Sequence, residues 1–163
     1  MAKSLRQSRH KARILAMQAL FQYDARTDNR PDAAELSAFR WMDYAVPVEE
    51  REYAKVIIEH TLGNLTRIDD IITERLVNWE FERISPVSRA ILRTGVAQLL
   101  YMADQAEAAV VIDECILLAK QYDAAETTSF VNGLLDDVRL MGQGGHAKPK
   151  TPTTKIRIRK PVK

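Results

Sequence analysis

The sequence predicts an all-α protein of about seven helices, packed as two small bundles that share one hydrophobic core. Apolar residues recur at intervals of three and four through most of the chain, which is the spacing of helices with one buried face. Three of the six glycines lie together at Gly142, Gly144 and Gly145, so the middle of the chain has few helix breakers. No alternating strand pattern competes with this interpretation before residue 142.

The stretch from Ser85 to Met102 is the predicted central helix. Ser85 is a favourable N-cap, and Pro86 suits the first turn, where its missing N–H costs nothing. The helix is apolar around most of its circumference, so it needs cover on several sides. Gly95 would let a neighbouring helix approach closely. We therefore expect the other helices to pack around this one.

The same spacing predicts the remaining elements and the domain boundary. In chain order they are a helix over 8–25, a short helix over 32–42, two helices between Val48 and Asn78 that meet at Gly63-Asn64, a helix over 106–122, and a last helix capped near Glu126-Thr127-Thr128. Gly133 lies inside the last helix, where glycine costs about 1 kcal/mol relative to alanine, and this predicts a close helix crossing. Residues 1–141 are thus the folded domain, and 142–163 form a polar tail that we expect to be disordered.

The formal net charge of +2 hides a strong asymmetry along the chain. Residues 1–13 carry five lysines and arginines, and residues 142–163 carry seven, with no acidic residue in either segment. Residues 14–141 hold the other 12 basic residues and all 22 acidic ones. An acidic body with two basic ends favours a polyanionic partner, although basic tails also serve solubility alone.

A row of basic side chains at the start of the first helix is the main candidate binding site. At about 100° per residue, Arg6, Arg9 and Arg13 fall within an arc of about 60°. The helix then becomes largely apolar, so its second half should be anchored while its first turns project guanidinium groups. Guanidinium groups grip phosphate through two hydrogen bonds and stack on bases. A solvated helix start, or a free arm that orders on binding, would explain the same residues.

The sequence contains no pattern typical of catalysis, of a metal site or of a cofactor site. The three histidines are far apart and lack zinc-ligand spacing, and no glycine-rich phosphate loop is present. Adjacent acids such as Asp113 and Glu114 diverge by about 100° on a helix. Cys115 has no second cysteine to pair with, which favours a reducing compartment. No apolar run approaches about 18 residues, so we expect a cytoplasmic binding protein with no membrane contact.

Three blocks of sequence, in this order and spacing, resemble the NusB family of bacterial transcription antitermination factors. They are SRHKARILAMQALFQYD, PVSRAILRTGVAQLLY and VIDECILLAKQYDAAETTSFVNGLLD. The resemblance implies an all-helical double bundle without enzymatic activity. It further implies that the protein, together with ribosomal protein NusE, binds boxA-type single-stranded RNA in nascent ribosomal RNA transcripts. The complex would act on RNA polymerase.

The resemblance also implies roles for individual residues. The arginine-rich arm of the family corresponds to Arg6, Arg9, His10, Lys11 and Arg13. The aromatic residues expected at the RNA surface are Phe21, where many members have tyrosine, and Phe130; core packing is the other interpretation of both. The residues expected to contact NusE are Glu82, Ser88, Asp113, Glu114 and Glu126. Many members carry an acid at the position of Ser88 and aspartate at that of Glu126.

Two other functions are compatible with the sequence. The chain could be a protein–protein adaptor whose basic ends serve only solubility. It could also be a detached RNA-binding domain of an RNA methyltransferase, because similar helical domains precede such enzymes. The sequence leaves open the exact RNA bound, the role of the tail, and a homodimer in the free state.

Overall fold

The computed structural model describes residues 2–77 and 79–142, and these residues form seven α-helices and one short 3₁₀ helix. The α-helices are α1 (Ala2–Ala25), α2 (Ala33–Leu36), α3 (Val48–Gly63), α4 (Leu65–Glu74), α5 (Pro86–Tyr101), α6 (Ala108–Tyr122) and α7 (Thr127–Gly142); the 3₁₀ helix is Phe81–Arg83. The all-α prediction is therefore confirmed. The predicted tail lies outside the described residues from position 143 onward. None of these helices is long and apolar enough to cross a membrane.

The predicted central helix is α5, and it packs against α1, α3, α4, α6 and α7. The Ser85 hydroxyl oxygen accepts a hydrogen bond from the Ser88 amide at 3.0 Å, and Pro86 occupies the first turn. Several polar residues of α5 are also buried, and their side chains are hydrogen-bonded, as buried polar groups require. Thr94 donates to the Ile91 carbonyl at 2.8 Å, and the Gln98 amide donates to the Thr94 carbonyl at 3.0 Å.

The hydrophobic interior consists of two clusters that both include α1. The larger cluster joins α4, α5, α6 and α7 to Met17 and Leu20. The smaller cluster joins α3 and the α2 region to a different face of α1; its members on α1 are Ala12, Leu15, Ala16 and Ala19. The second half of α1 therefore lies between the two bundles, and the helix is held on both sides.

Helices α1 and α2 differ in length from the sequence prediction. The first helix begins at Ala2 rather than at residue 8, so the basic start of the chain is helical. The second ends at Leu36 instead of extending to residue 42, because Phe39 adopts a left-handed conformation with φ of 50°. This conformation places the Phe39 ring in the core and edge-on to Trp41, at 5.4 Å between ring centroids. The free energy gained by burying the Phe39 ring therefore exceeds the free energy that a longer α2 would contribute.

A cluster of ion pairs fixes the C-terminal end of α1 to α4 and α5. Arg93 donates two hydrogen bonds to the Asp69 carboxylate, at 2.8 and 2.9 Å, and one to Asp24 at 2.9 Å. Arg89 lies 3.2 Å from Asp24, and both guanidinium groups lie over the Phe81 ring. Burial alone would lower the pKa of Arg93, but the hydrogen bonds to the two carboxylates outweigh it and the pKa is raised. The cation is therefore permanent, as a structural ion pair requires.

The two helical glycines differ in their surroundings. A Cβ atom on Gly95 would lie 2.9 Å from both terminal methyl carbons of Leu135 and 3.1 Å from the sulfur of Cys115. The predicted close approach at α5 is therefore present. The corresponding prediction for Gly133 was wrong, because this residue is exposed and a Cβ there would meet no atom within 4 Å.

Candidate nucleic-acid and partner interface

The first turns of α1 carry the predicted basic row, and its members differ in accessibility. Arg6 and Lys11 are exposed, and the Lys11 ammonium lies 3.9 Å from the buried Glu50 carboxylate of α3. Arg9 and His10 are half-buried, whereas Arg13 is only 2% exposed. The row thus runs from solvent into the body of the protein.

Arg13 is where the expectation of an exposed guanidinium row was wrong. Arg6 and Arg13 point in nearly the same direction, about 20° apart, but Arg13 lies about 10 Å further along the helix. At that level α3 and α5 cover the same face of α1. Arg13 donates to the side-chain oxygen of Gln98 at 2.7 Å and to the Tyr53 hydroxyl at 3.3 Å. Its axial position, and not its direction, decides its burial.

Arg9 occupies the boundary between the buried and the exposed part of the row. Its guanidinium carbon lies 4.8 Å from the centroid of the Tyr53 ring, in a cation–π contact. The same group donates a hydrogen bond of 2.6 Å to the backbone carbonyl of Gln105, between α5 and α6. Arg9 therefore has a defined position at the surface.

Glu114 of α6 faces α1, although the resemblance places it at the NusE contact. It is buried, its carboxylate lies 2.6 Å from His10 Nδ1, and it is 3.9 Å from Arg13. A buried carboxylate needs such cationic or hydrogen-bonding partners. Its neighbour Asp113 is exposed. Glu114 therefore stabilises the position of the basic row, and Asp113 alone of this pair is fully available to a partner.

Phe21 lies on the second half of α1 and is 40% exposed. It lines an open apolar groove of about 430 Å³; the other lining residues are Met17, Gln18, Gln22, Trp41, Met42, Val87 and Tyr122. Tyr122 is also strongly exposed for an aromatic residue. Phe130 is not among the lining residues; it is half-buried and packs against the larger cluster. The structure therefore does not bring the two predicted aromatics together in this groove.

The remaining predicted partner residues surround the start of α5. Glu82 and Glu126 are exposed, whereas Ser88 is buried. The Ser88 hydroxyl donates to the Asp123 carboxylate, which also accepts from the Ser85 hydroxyl at 3.0 Å. Ser88 is therefore unavailable for a direct contact, and its neighbour Val87 faces the groove.

Sequence reasoning missed Tyr53, Gln105 and Asp123, which position the predicted residues. Periodicity places Tyr53 on the apolar face of α3, and it does not reveal that the ring also contacts two guanidinium groups. Gln105 acts through its backbone carbonyl, for which no side-chain pattern exists. Asp123 does have a sequence signal, because it is an aspartate that directly follows a helix. In the structure its carboxylate accepts a hydrogen bond from the Ala124 amide at 2.8 Å.

The described part of the chain offers no alternative site for metal chemistry. Residues 4–77 and 79–142 contain no group of three or more His, Cys, Asp or Glu side chains that could hold a metal ion. Cys115 is buried between α5 and α7, and burial raises the pKa of its thiol to about 12.

Comparison with known proteins gives the relationship of the chain. The model of the NusB family matches residues 10–139. The transcription antitermination protein NusB of Leptospira biflexa serovar Patoc is 40% identical over 129 residues, which cover 79% of this chain and 89% of that protein. The chain belongs to the NusB family.

Solved NusB structures share the fold. The structure of T. maritima NusB matches with a TM-score of 0.71 and 33% identity, covering 80% of this chain and 89% of that one. A structure of the antitermination factors NusB and NusE in complex with dsRNA matches with a TM-score of 0.67 and 27% identity. The match covers 83% of this chain and 98% of that one. The double helical bundle is therefore the NusB fold, and family members carry the name of transcription antitermination proteins.

Proposed function

We propose that this protein is a non-catalytic, cytoplasmic transcription antitermination factor that binds boxA-type RNA of nascent ribosomal transcripts together with NusE. Membership of the NusB family supports the antitermination role. A related NusB has been solved with NusE and double-stranded RNA, which supports both partners. The observation that carries the proposal here is the helical basic row, which ends in solvent at Arg6 and is anchored at Arg13.

In this proposal three side chains of the row contact RNA phosphates directly: Arg6, Arg9 and Lys11. Arg13 and His10 support them from within, because Arg13 is buried against Gln98 and Tyr53 and the half-buried His10 ring contacts the Glu114 carboxylate. For single-stranded RNA, each phosphate that the protein neutralises makes the slope of log K against log salt more negative by about 0.7. Three contacts therefore predict a slope near −2 from the row alone.

The protein partner contacts a different part of the surface in this proposal. The apolar groove containing Phe21 and Val87 lies beside the start of α5, and the exposed acids Glu82 and Glu126 belong to segments flanking that region. An apolar segment with basic flanks would match this surface in both respects. NusE bound there would bring a second RNA-binding surface next to α1 and raise RNA affinity by coupling.

Phe21 can serve the RNA or the protein partner, and one pair of measurements separates these roles. We expect Phe21→Ala to weaken RNA binding by the protein alone if the ring stacks on a base. If the variant instead weakens only the binding of NusE in the absence of RNA, the ring belongs to the protein contact. Phe130→Ala, measured in the same way, tests the aromatic residue outside the groove.

The basic row is tested by titrating single-stranded boxA-like RNA with the variants Arg6→Ala, Arg9→Ala and Lys11→Ala. Each change should lower affinity and make the salt slope shallower by about 0.7. Arg67→Ala is the matched control, because Arg67 is an exposed arginine on α4, away from the row. Scrambled and double-stranded RNA of equal length test the preference for boxA and for single strands. If all four variants bind RNA like the unaltered protein, the row has no part in binding.

A protein adaptor is the second candidate, and the exposed apolar groove is the observation that favours it. This function requires partners to stay bound after nuclease treatment. It also requires that the isolated protein does not bind RNA even at low salt. RNA binding that depends on Arg6 and Arg9 would reject it.

A further inference from the structure

Within the proposed RNA-binding function, we infer that Tyr53 of α3 is a positioning residue that holds Arg9 flat for stacking against a nucleobase. The contact would explain how one arginine of a helical row acquires a fixed orientation at the surface. The ligand class is an unpaired base of single-stranded RNA, since only an unpaired base offers a free face. The inference rests on the proposed function and adds a residue outside the basic row.

Two contacts from different elements fix the guanidinium group of Arg9. The Tyr53 ring, from α3, lies 4.8 Å below its central carbon. The Gln105 carbonyl, after α5, accepts one of its hydrogen bonds at 2.6 Å. Arg9 is nevertheless only half-buried, so part of the side chain remains open to solvent. A guanidinium group that is fixed in position and keeps part of its surface in solvent can stack on a base, as arginine does in RNA complexes, while the N–H groups that are not bonded to Gln105 stay available to a neighbouring phosphate.

The Tyr53 ring is itself held in place by Arg13. Tyr53 is only 8% exposed, and the Arg13 guanidinium carbon lies 5.4 Å from the same ring centroid. Arg13 also donates to the Tyr53 hydroxyl at 3.3 Å and to Gln98 at 2.7 Å. The contacts therefore run from α5 through Arg13 and Tyr53 to Arg9. This gives the buried arginine a role in orienting the accessible one.

Holding the side chain in advance should raise affinity, because an arginine that is already ordered loses less freedom when it binds. The contribution of Tyr53 should therefore depend entirely on Arg9. A ring that only filled space would affect stability, and it would affect RNA affinity to the same extent with or without Arg9. Measuring both changes separately and together distinguishes these two roles.

The experiment is a double-mutant cycle with Tyr53→Leu and Arg9→Ala, using single-stranded boxA-like RNA as the probe. Tyr53→Leu should weaken binding about fivefold to tenfold, within the range expected when one long side chain must be ordered on binding instead of beforehand. In the Arg9→Ala background the same change should have no further effect. Tyr53→Phe is the matched control: it keeps the ring, loses only the long hydroxyl contact, and should bind within about twofold of the unaltered protein.

A further variant keeps the test decisive if Tyr53→Leu does not fold, as judged by circular dichroism. Arg9→Lys leaves Tyr53 intact and keeps the charge but loses the planar group, so it should lower affinity while the salt slope stays unchanged. An equal loss in both backgrounds, no loss with Tyr53→Leu, or full affinity with Arg9→Lys would overturn the inference and leave the basic row standing. Absence of RNA binding by the unaltered protein would overturn the proposed function and the inference together.

Discussion

Gly95 is a position at which α5 lies in close contact with both α6 and α7. Both terminal methyl groups of Leu135 and the sulfur of Cys115 occupy the space that a side chain at position 95 would need. Leu135 and Cys115 are fully buried, so neither can move into solvent. Interiors are packed densely enough for one extra carbon atom to disturb several helices.

We expect Gly95→Ala to destabilise the protein by up to about 2 kcal/mol. Overpacking costs about 1 to 3 kcal/mol, and a gain of about 1 kcal/mol in helix propensity offsets only part of it. Gly133→Ala is the control: nothing lies near that position, so the propensity gain should appear alone and stabilise by about 0.5 to 1 kcal/mol. Urea unfolding measures both. A stabilising Gly95→Ala would show that the helices can move apart without cost.

Cys115 predicts how stability changes in alkaline solution. Burial raises the pKa of its thiol from 9.0 to about 12. The unfolded chain then loses this proton near pH 9 while the folded chain keeps it, so stability is complete below that pH and falls as pH rises toward 12, by about 1.4 kcal/mol per pH unit.

The measurement is urea unfolding of the unaltered protein and of Cys115→Ala at about pH 9 and about pH 10. The unaltered protein should lose about 1 kcal/mol more than the variant over this interval, because the unfolded thiol is already half ionised at about pH 9. Other groups titrate in the same range, but they contribute equally to both proteins and cancel in the difference. Identical losses would mean that the thiol ionises inside the folded protein.

Single residues also show where prediction from sequence ended. Gly95 and Gly133 are both glycines in amphipathic helices, and only the identity of the atoms opposite them distinguishes a packed position from an exposed one. Arg6 and Arg13 share a direction on α1, and only the neighbouring helices decide that one of them is buried. Periodicity specifies the face of a helix on which a residue lies. It contains no information on which element, if any, covers that face.

At the scale of elements, Asp123 joins the start of α5 to the end of α6. Its carboxylate accepts hydrogen bonds from the hydroxyl groups of Ser85 and Ser88 at the start of α5. It also accepts from the Ala124 amide, just after α6. One side chain therefore sets the position of the central helix relative to the connection between the last two helices.

Removing this carboxylate should have a larger effect than removing the helix cap. We expect Asp123→Ala to cost about 2 to 3 kcal/mol, because it deletes charge-assisted hydrogen bonds and leaves the buried Ser88 hydroxyl without an acceptor. Ser85→Ala should cost about 1 kcal/mol, the typical value for a lost N-cap. Asp43→Ala removes an exposed acid and serves as control. Thermal unfolding of the three variants tests this order, and the reverse order would contradict it.

Elements with strong local signals were predicted well, and those determined by tertiary contacts were not. Ser85 and Pro86 define the start of α5, and Gly63-Asn64 separates α3 from α4 as predicted. The end of α2 could not be predicted, because it depends on burial of the Phe39 ring in a left-handed conformation. Local propensity yields to such burial whenever the apolar area gained is large.

At the scale of the whole molecule, charge is separated along the chain. The last 22 residues contribute seven of the 24 basic residues and no acidic residue. Without them the formal net charge changes from +2 to −5. Long-range attraction of RNA depends on this total as well as on the contacts of α1.

A chain that stops at Gly142 should bind boxA-like and scrambled RNA more weakly, and by similar factors. The removed residues carry seven cations and no acid, and attraction between such charges and phosphates does not depend on base sequence, so the salt slope should become shallower for both RNAs. Its thermal stability should be retained, because the two hydrophobic clusters are built from residues up to Met141. Unequal losses for the two RNAs would show that the tail contributes to selectivity.

The anchoring of Arg9 and Arg13 has a consequence for synthesis on the ribosome. The basic end is translated first, but the hydrogen-bond partner farthest along the chain follows 96 residues later for Arg9 and 85 residues later for Arg13. A nascent chain therefore carries its cations before it can present them in order. In the proposed function, ordered presentation of the row to a transcript therefore has to wait until the central helix and Gln105 have been synthesised.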